Sequence, residues 1–220
     1  MRREIITTSD GSKTIHLPDW DESYHSKHGA VQEAYHVFIK NGLRLFENRT
    51  INILEIGFGT GLNAIITFLE AEKLNLKINY TGIEAYPVSL EEAMQMNYLE
   101  SLNSQDKTDV FEKMHEIPFG KSYPLWDNFN IEKRNIFFDQ IADIEAFDLI
   151  YFDAFGFRVQ PELWSTEIFQ KMYTSLKNNG VLVTYAARGV VKRNMKEVGF
   201  TVEKLEGPPG KREMMRAFKK

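Results

Sequence analysis

A glycine-rich turn after an apolar run is the first feature of the chain that could do chemistry. In the stretch NILEIGFGTGLN, Gly57, Gly59 and Gly61 alternate with other residues. Glycine has no Cβ, so the backbone can approach a ligand closely, and a strand that ends in such a turn commonly meets a nucleotide-like molecule. The dinucleotide pattern G-x-G-x-x-G would need glycine or alanine where this chain has Leu62. The pattern here is instead E-x-G-x-G-x-G, which begins at Glu55.

The residue that ends the next apolar run narrows the choice of ligand. Glu84 closes INYTGIE, and a carboxylate at that point can accept hydrogen bonds from both hydroxyls of a ribose. NAD would use such an acid equally well, but S-adenosylmethionine has no pyrophosphate and suits a loop whose third glycine is displaced. We therefore expect S-adenosylmethionine as the cofactor, and the residues expected to bind it from this loop and strand are Glu55, Gly57, Phe58, Gly59, Gly61 and Glu84.

A second carboxylate is expected at the same edge. In FDLIYFDAFGFRVQPELW an apolar run delivers Asp153, which is followed by Phe155. Methyl transfer from a sulfonium needs an acceptor with a free lone pair, and an amine has one at neutral pH only when a base takes its proton. Asp153 could be that base, and a nearby aromatic ring could stack on a flat acceptor base. The alternative is that Asp153 only caps a turn.

The elements that must position these residues alternate between strand and helix. The pattern predicts helices over 30–46, 60–74, 88–101, 161–177 and 188–198, and strands over 51–56, 78–84, 134–138, 147–153, 181–186, 200–205 and 213–218. The last two strands are joined by EGPPGKR, which is too short for a crossover helix, so they pair antiparallel. We expect an α/β fold of the Rossmann-like class I methyltransferase type, with a mostly parallel, seven-stranded sheet that ends in an antiparallel edge hairpin.

The chain is expected to form one domain over 1–220. Residues 1–46 should contribute a hairpin around Asp10-Gly11 and then a helix. Residues 103–130 carry the pieces PFG and YPLWDNF, which suggest an insertion with aromatic anchors, because flexible linkers rarely contain Trp and Phe.

Composition removes several kinds of function. The chain has no cysteine, which excludes disulfides and thiolate chemistry, and its 5 histidines show no metal-ligand spacing, so no metal is expected. No apolar run is long enough to span a membrane and no secretory leader is visible, so we expect a soluble, cytoplasmic protein without a membrane partner.

Charge is distributed unevenly along the chain. The net charge is −4, yet residues 188–220 hold 10 basic and 4 acidic residues. This basic segment is either a solvated edge or a surface that binds nucleic-acid phosphates. On the second interpretation, Arg188, Lys211 and Arg212 would contact RNA.

Several motifs together resemble a known family. The glycine loop, DAF-x5-PELW, TYAARGVVKRNMKEVGF and GPPGKREMM, with YHSKHGAVQEAYHVFIKNGL near the start, are similar to the bacterial tRNA 5-methylaminomethyl-2-thiouridine methyltransferases, which form the methyltransferase half of MnmC or occur as standalone MnmD-like proteins. The resemblance covers nearly the whole chain except about 101–130.

The resemblance implies S-adenosylmethionine-dependent methylation of the primary amine of 5-aminomethyl-(2-thio)uridine at the tRNA wobble position. It places the catalytic carboxylate on Asp153, the substrate contact on Phe155 and an adenine contact on Asp139. It also implies tRNA as a partner and a separate enzyme that supplies the aminomethyl group.

Three other functions are left open by the residues alone. A methyltransferase acting on a small-molecule or protein amine would share the loop and Glu84. An NAD-dependent oxidoreductase is disfavoured by Leu62, and a tRNA-binding module without catalysis is disfavoured because both the cofactor loop and a carboxylate at the acceptor edge are present.

Overall fold

A mostly parallel sheet of eight strands forms the centre of the protein. The structure, a computed structural model, describes residues 2–220. The strands of this sheet are β4 (Thr50–Ile56), β5 (Lys77–Ile83), β6 (Ser122–Trp126), β7 (Phe129–Arg134), β8 (Phe147–Phe152), β9 (Leu176–Thr184), β10 (Thr201–Glu206) and β11 (Glu213–Phe218). Their order across the sheet is β10-β11-β9-β8-β4-β5-β7-β6. The five inner strands from β9 to β7 are parallel to one another, and the antiparallel pairs lie at the two edges.

Helices cover both faces of this sheet. They are α1 (Ala30–Ala34), α2 (Leu62–Lys73), α3 (Leu90–Met94), α4 (Tyr98–Ser101), α5 (Thr108–Glu116), α6 (Thr166–Ser175) and α7 (Gly189–Glu197). Strand β4 shows why two layers are needed, since Ile51 and Ile53 belong to one buried cluster while Leu54 and Ile56 belong to the other. A parallel sheet that is apolar on both faces must be covered on both.

The order of the strands determines where a ligand can bind. From β4 the chain moves outward to β5 and β7 on one side, and it then returns to β8 beside β4 and continues to β9 on the other side. Ligands of open parallel sheets bind beyond the carboxyl ends of the strands, where the order reverses. In this protein that point lies between β4 and β8. Their ends are joined by the Asp153 N–H, which donates to the Ile56 carbonyl at 2.9 Å.

A small second sheet precedes the main one. Strands β1 (Glu4–Thr7), β2 (Lys13–Leu17) and β3 (Glu22–Ser23) are antiparallel and follow one another in space. The turn between β1 and β2 is closed by Asp10, whose Oδ1 accepts from the Ser12 N–H at 3.1 Å and from the Thr8 hydroxyl at 2.7 Å. This confirms the hairpin expected around Asp10-Gly11.

The structure corrects three details of the predicted fold. The main sheet has eight strands rather than seven, because residues 103–130, expected as an insertion, supply α5 and the edge strand β6. The strand expected over 134–138 lies at Phe129–Arg134, where the alternate residues Phe129 and Ile131 are buried. The helix expected over 88–101 is divided into α3 and α4. The prediction of a mostly parallel α/β sheet with a C-terminal antiparallel hairpin is confirmed.

The helix expected over 30–46 is also irregular. After α1 the chain widens into a π-helical turn over Tyr35–Lys40, and a 3-10 turn follows over Leu43–Leu45. Such π-helical turns are frequent near functional sites. Glu33 in α1 contributes to the site described below.

Candidate active site

A single large cavity opens at the carboxyl ends of the parallel strands. Its volume is about 1280 Å³, and its walls include Gly57, Asn63, Glu84, Asp139, Asp153 and Phe155. Five of these six residues directly follow, or lie close after, the ends of strands β4, β5 and β8. The cavity is therefore at the topological switch point, and it joins the predicted cofactor loop to the predicted catalytic residue.

The glycine loop is held tightly against the neighbouring strand end. Gly57 has φ 86°, and a Cβ at that position would lie 2.6 Å from the Asp153 carbonyl oxygen. The N–H groups of Gly57 and Phe58 both donate to the Ile83 carbonyl at 3.0 Å. Any other residue at 57 would strain the backbone and push the two strand ends apart. The loop thus brings the backbone of Gly57 and Gly59 close to the space in which a cofactor would bind.

Glu84 is held at the cavity wall by two backbone N–H groups. Its Oε2 accepts from the Gly59 N–H and its Oε1 accepts from the Tyr86 N–H, both at 2.9 Å. Each carboxylate oxygen has a second lone pair, so two acceptor positions remain for hydroxyl groups in the cavity. The glycine cradle and the prepositioned carboxylate together fit a nucleoside cofactor such as S-adenosylmethionine.

Two residues predicted to bind the cofactor have a different place. Glu55 is fully buried beneath the loop, where its Oε2 accepts from the Tyr80 hydroxyl at 2.8 Å, and burial raises its pKa well above the usual range. Gly61 starts helix α2 with φ 77° and faces the His115 ring. Neither residue lies in the cavity wall. We therefore correct their predicted cofactor contacts to roles in shaping the loop, whereas Phe58 does line the cavity.

Asp153 occupies the other end of the cavity. Its side chain is half-buried, and its Oδ2 accepts a hydrogen bond from Asn63 Nδ2 at 2.8 Å. The pKa of Asp153 is raised to about 7, chiefly by burial and also by the carboxylate of Glu33, while the hydrogen bond from Asn63 and the charge of Lys211 act in the opposite direction. A carboxylate with a pKa near 7 is well suited to accept a proton at neutral pH.

Asn63 is a site residue that the sequence analysis missed. Its Nδ2 donates both to Asp153 and to Glu55 Oε1, the latter at 2.9 Å, so the amide is held between two carboxyl groups. Within residues 2–220 its Oδ1 is buried and has no hydrogen-bond partner. The available signal was its position in the first turn of α2, two residues after the glycine loop, where a side chain faces the carboxyl edge.

Aromatic rings from two parts of the chain enclose the end of the cavity near Asp153. Phe155 makes edge-to-face contacts with Trp20 and Tyr24, with ring centroids 5.8 and 5.1 Å apart. All three rings line the cavity. The sequence analysis identified Phe155 but assigned no site role to the segment that carries Trp20 and Tyr24. This aromatic enclosure could hold a flat base or a cationic sulfonium.

The cavity wall also includes exposed residues that follow β7. Asp139 lies there in the 3-10 turn Phe138–Gln140 and is exposed to the cavity, so its adenine contact stays a prediction. Beside it the exposed rings of Tyr86 and Phe137 meet edge to face, 5.9 Å apart.

The three basic residues expected to contact RNA do not share one environment. Arg188 is exposed at the start of α7, with its guanidinium 5.5 Å from the Phe157 ring centroid, and Arg212 is exposed in the β10–β11 loop. Lys211 instead turns inward, where it pairs with Glu33 and lies 3.8 Å from the Tyr185 ring centroid. The ammonium of Lys211 thus has partners within the protein, and its contact with RNA stays a prediction.

Two features that would point to other classes of protein were not found in residues 2–220. No helix there has the length and apolar character needed to cross a membrane. No group of three histidine, aspartate or glutamate side chains in that range is arranged to hold a metal ion.

Comparison with known proteins agrees with this geometry. Residues 128–220 match the model of a family described as S-adenosyl-L-methionine-dependent methyltransferase. The crystal structure of MNMC2 from Aquifex aeolicus superposes with a TM-score of 0.75 at 23% identity, covering 98% of this chain and 70% of that one. Spermidine synthase from Thermotoga maritima superposes with a TM-score of 0.57 at 15% identity, covering 100% and 72%. The fold is that of the class I S-adenosylmethionine-dependent methyltransferases.

Sequence relatives narrow this class further. The tRNA 5-methylaminomethyl-2-thiouridine biosynthesis bifunctional protein MnmC of Marinomonas sp. (strain MWYL1) is 29% identical over 90% of this chain, and that of Burkholderia multivorans is 28% identical over 92%. The aligned part is only 31% and 33% of those proteins, so the chain spans about a third of the curated relatives that it matches. The chain is thus similar over most of its length to the part of MnmC that these alignments cover.

Proposed function

We propose that this protein methylates the primary amine of 5-aminomethyl-(2-thio)uridine at the wobble position of tRNA, with S-adenosylmethionine as the methyl donor. The observation that carries the proposal is the position of Asp153. It is the residue next to the end of β8, directly against the glycine loop, and it lies in an aromatic enclosure with a pKa of about 7. The names of the relatives, which concern a modified thiouridine in tRNA, suggest the amine that would meet this carboxylate.

The residues of the site divide the work between two ends of one cavity. Gly57, Gly59 and Glu84 would hold the cofactor, which when bound supplies an electrophilic methyl group on a sulfonium. Asp153 would accept a proton from the substrate ammonium, which frees the nitrogen lone pair for attack. Trp20 and Phe155 would orient the uracil ring and exclude water, so that the amine stays aligned with the methyl group.

A second candidate uses the same chemistry on another amine. A small-molecule or protein amine would need Asp153 and the cofactor loop but no contact to RNA phosphates. The exposed Arg188 and Arg212 favour tRNA, because they belong to a basic segment on an otherwise acidic chain. A tRNA substrate would also place the protein in the cytoplasm.

The proposed function is tested by methyl transfer to tRNA that lacks the terminal methyl group. We expect labelled S-adenosylmethionine to modify bulk tRNA from a strain without this methyltransferase, and nuclease digestion should place the label on a 5-methylaminomethyl nucleoside. Bulk tRNA from a strain that cannot form the aminomethyl group is the matched control and should take no label. Label on the control tRNA, or on a protein or small amine only, would contradict the proposal.

The control tRNA, which lacks the aminomethyl group, also tests whether another enzyme must act on the uridine first. Methyl transfer does not create the amine that it modifies, so a separate reaction must install the aminomethyl group on the uridine. We propose that this protein depends on an enzyme that supplies that group.

Contacts to RNA phosphates are expected from the exposed arginines. Replacing Arg188 and Arg212 together by alanine should weaken tRNA binding to all tRNA species alike, because phosphate contacts carry no sequence information. Each lost contact should reduce the slope of log K against log salt by about 0.7–0.9. The measurement is tRNA binding at several salt concentrations, with circular dichroism to verify the fold. An unchanged slope would mean that these arginines belong to a solvated edge.

A further inference from the structure

Lys211 reaches the active-site region from the far end of the chain. It lies in the loop between β10 and β11, and this loop packs on the segment before α1, where a Cβ on Gly210 would collide with the His28 ring. The same contact is reinforced by His36, whose Nε2 lies 2.8 Å from the Glu206 carbonyl oxygen. The C-terminal hairpin and the N-terminal segment thus close on each other behind the aromatic end of the cavity.

The ammonium group of Lys211 has two partners in this place. It forms an ion pair with Glu33, whose side chain is 9% exposed and whose Oε2 also accepts from the Ser26 N–H at 2.9 Å. It also lies over the ring of Tyr185, the residue after β9, and the Tyr185 hydroxyl donates to the Ala154 carbonyl at 2.8 Å. A buried carboxylate with such partners cannot easily accept another cation.

Glu33 and Asp153 are close enough to influence each other. The negative charge of Glu33 raises the pKa of Asp153 and the positive charge of Lys211 lowers it. Asp153 in turn raises the pKa of four buried neighbours, Glu55, Tyr80, Tyr98 and Tyr185. His25 faces the Glu33–Lys211 pair, but burial lowers its pKa to about 4, so it is neutral near pH 7.

We propose that Lys211 is a positioning residue: by pairing with Glu33 beside the residues that follow β8, it balances the charge around Asp153, the carboxylate that receives the substrate amine. The proposal rests on the proposed function, because it assumes that the acceptor is a cationic amine. Neither Lys211 nor Glu33 lines the cavity, so the pair acts on Asp153 through its charges. Without Lys211, the uncompensated charge of Glu33 would favour the protonated form of Asp153; without Glu33, the charge of Lys211 would favour the ionised form.

The two single variants therefore have opposite expected effects. Lys211→Met should raise the midpoint at which Asp153 titrates by about half a pH unit or more, because a cation is removed and an anion is left unpaired. Glu33→Gln should lower that midpoint, because an anion is removed and the cation of Lys211 is left unpaired. The double variant should return the midpoint toward that of the wild type, because the two charges are removed together.

The titration can be measured without any substrate. Carbon-13 NMR of uniformly labelled protein follows the Asp153 carboxyl directly, and its signal is assigned by its loss in Asp153→Asn. Lys204→Met is the matched control, since Lys204 forms a similar pair with Glu213 on the exposed side of the same hairpin, at 2.5 Å. We expect this control to leave the Asp153 midpoint unchanged.

A second measurement separates positioning from RNA binding. If Lys211 acts as proposed, Lys211→Met leaves the salt slope of tRNA binding unchanged while the pH profile of kcat/KM moves to higher pH. Weaker tRNA binding with a smaller salt slope and an unmoved Asp153 midpoint would overturn the proposal and make Lys211 a phosphate contact. Should Lys211→Met fail to fold, Glu33→Gln tests the same proposal, because this neutral isostere should lower the midpoint at which Asp153 titrates instead of raising it.

The two levels of inference fail in different ways. If the wild-type protein methylates no tRNA, the proposed function is wrong, yet the NMR titration still reports on the pairing of Lys211 with Glu33. If methylation is observed but the midpoint moves in neither single variant, the positioning role is wrong and the proposed function stands.

Discussion

Asp153→Asn is expected to lower the rate of methyl transfer by about 10² to 10⁴, the usual effect of removing one general base. The amide keeps the shape of the side chain but cannot take the proton from the substrate ammonium. Cofactor binding should survive, because Asp153 lies at the acceptor end of the cavity. The measurement is single-turnover transfer from saturating S-adenosylmethionine, with calorimetry of cofactor binding beside it.

A matched amide substitution at the other end of the cavity provides the control. Asp139→Asn should change the affinity for the cofactor and leave the rate at saturation close to that of the wild type.

The kcat/KM of the wild type should also rise with pH through about 7, since Asp153 has a raised pKa and only its ionised form accepts a proton. An ordinary aspartate would give no such rise above pH 5. Near-normal turnover of Asp153→Asn would assign the base to another residue.

Glu84→Ala is expected to weaken S-adenosylmethionine binding by about 10²-fold or more. On the proposed function the carboxylate accepts two ribose hydroxyls, and hydrogen bonds to a charged group contribute about 1.5–3 kcal/mol each. The substitution also releases the Gly59 N–H, which Glu84 holds at 2.9 Å in the structure. Calorimetric titration of the wild type and the variant with the cofactor measures the effect.

Glu84→Gln and NAD complete this test. The glutamine retains one acceptor oxygen, so its affinity for S-adenosylmethionine should lie between those of the wild type and Glu84→Ala. The wild type should give no heat with NAD, because the loop has Leu62 where a dinucleotide fold needs a third small residue. Micromolar NAD binding in the absence of any S-adenosylmethionine heat would reverse our choice of cofactor.

The sheet and the cofactor end of the site could be predicted from the sequence because their signals are local. Gly57, Glu84 and Asp153 each follow an apolar run, and parallel strands necessarily end at one edge, so their proximity follows from the topology. The strand at Phe129–Arg134 was misplaced because its charged residues alternate with the apolar ones and the more apolar NIFF followed it. The prediction followed the higher apolar content of NIFF, whereas the strand itself is marked by the alternation of buried and partly exposed residues.

The acceptor end could be predicted only in part, because its contacts join distant parts of the chain. The pairing of Lys211 with Glu33 spans 178 positions, and the contact of Trp20 with Phe155 depends on how the first sheet folds over the second. A basic residue in a loop rich in glycine and proline looks the same in sequence whether it faces solvent or turns inward. Arg212 faces solvent, whereas Lys211 turns toward Glu33, and only tertiary packing distinguishes the two residues.

The early segment that carries Trp20, Tyr24 and Glu33 has a consequence for how this enzyme could acquire new acceptors. It precedes β4, so the residues proposed to surround the acceptor and those proposed to hold the methyl donor are encoded in separate stretches of the gene. Changes in the codons for residues 20–33 could therefore alter which amine is admitted while the glycine loop and Glu84 are inherited intact. Such changes are limited by Lys211 in the hairpin of β10 and β11, because any replacement segment would still have to accommodate its ammonium group.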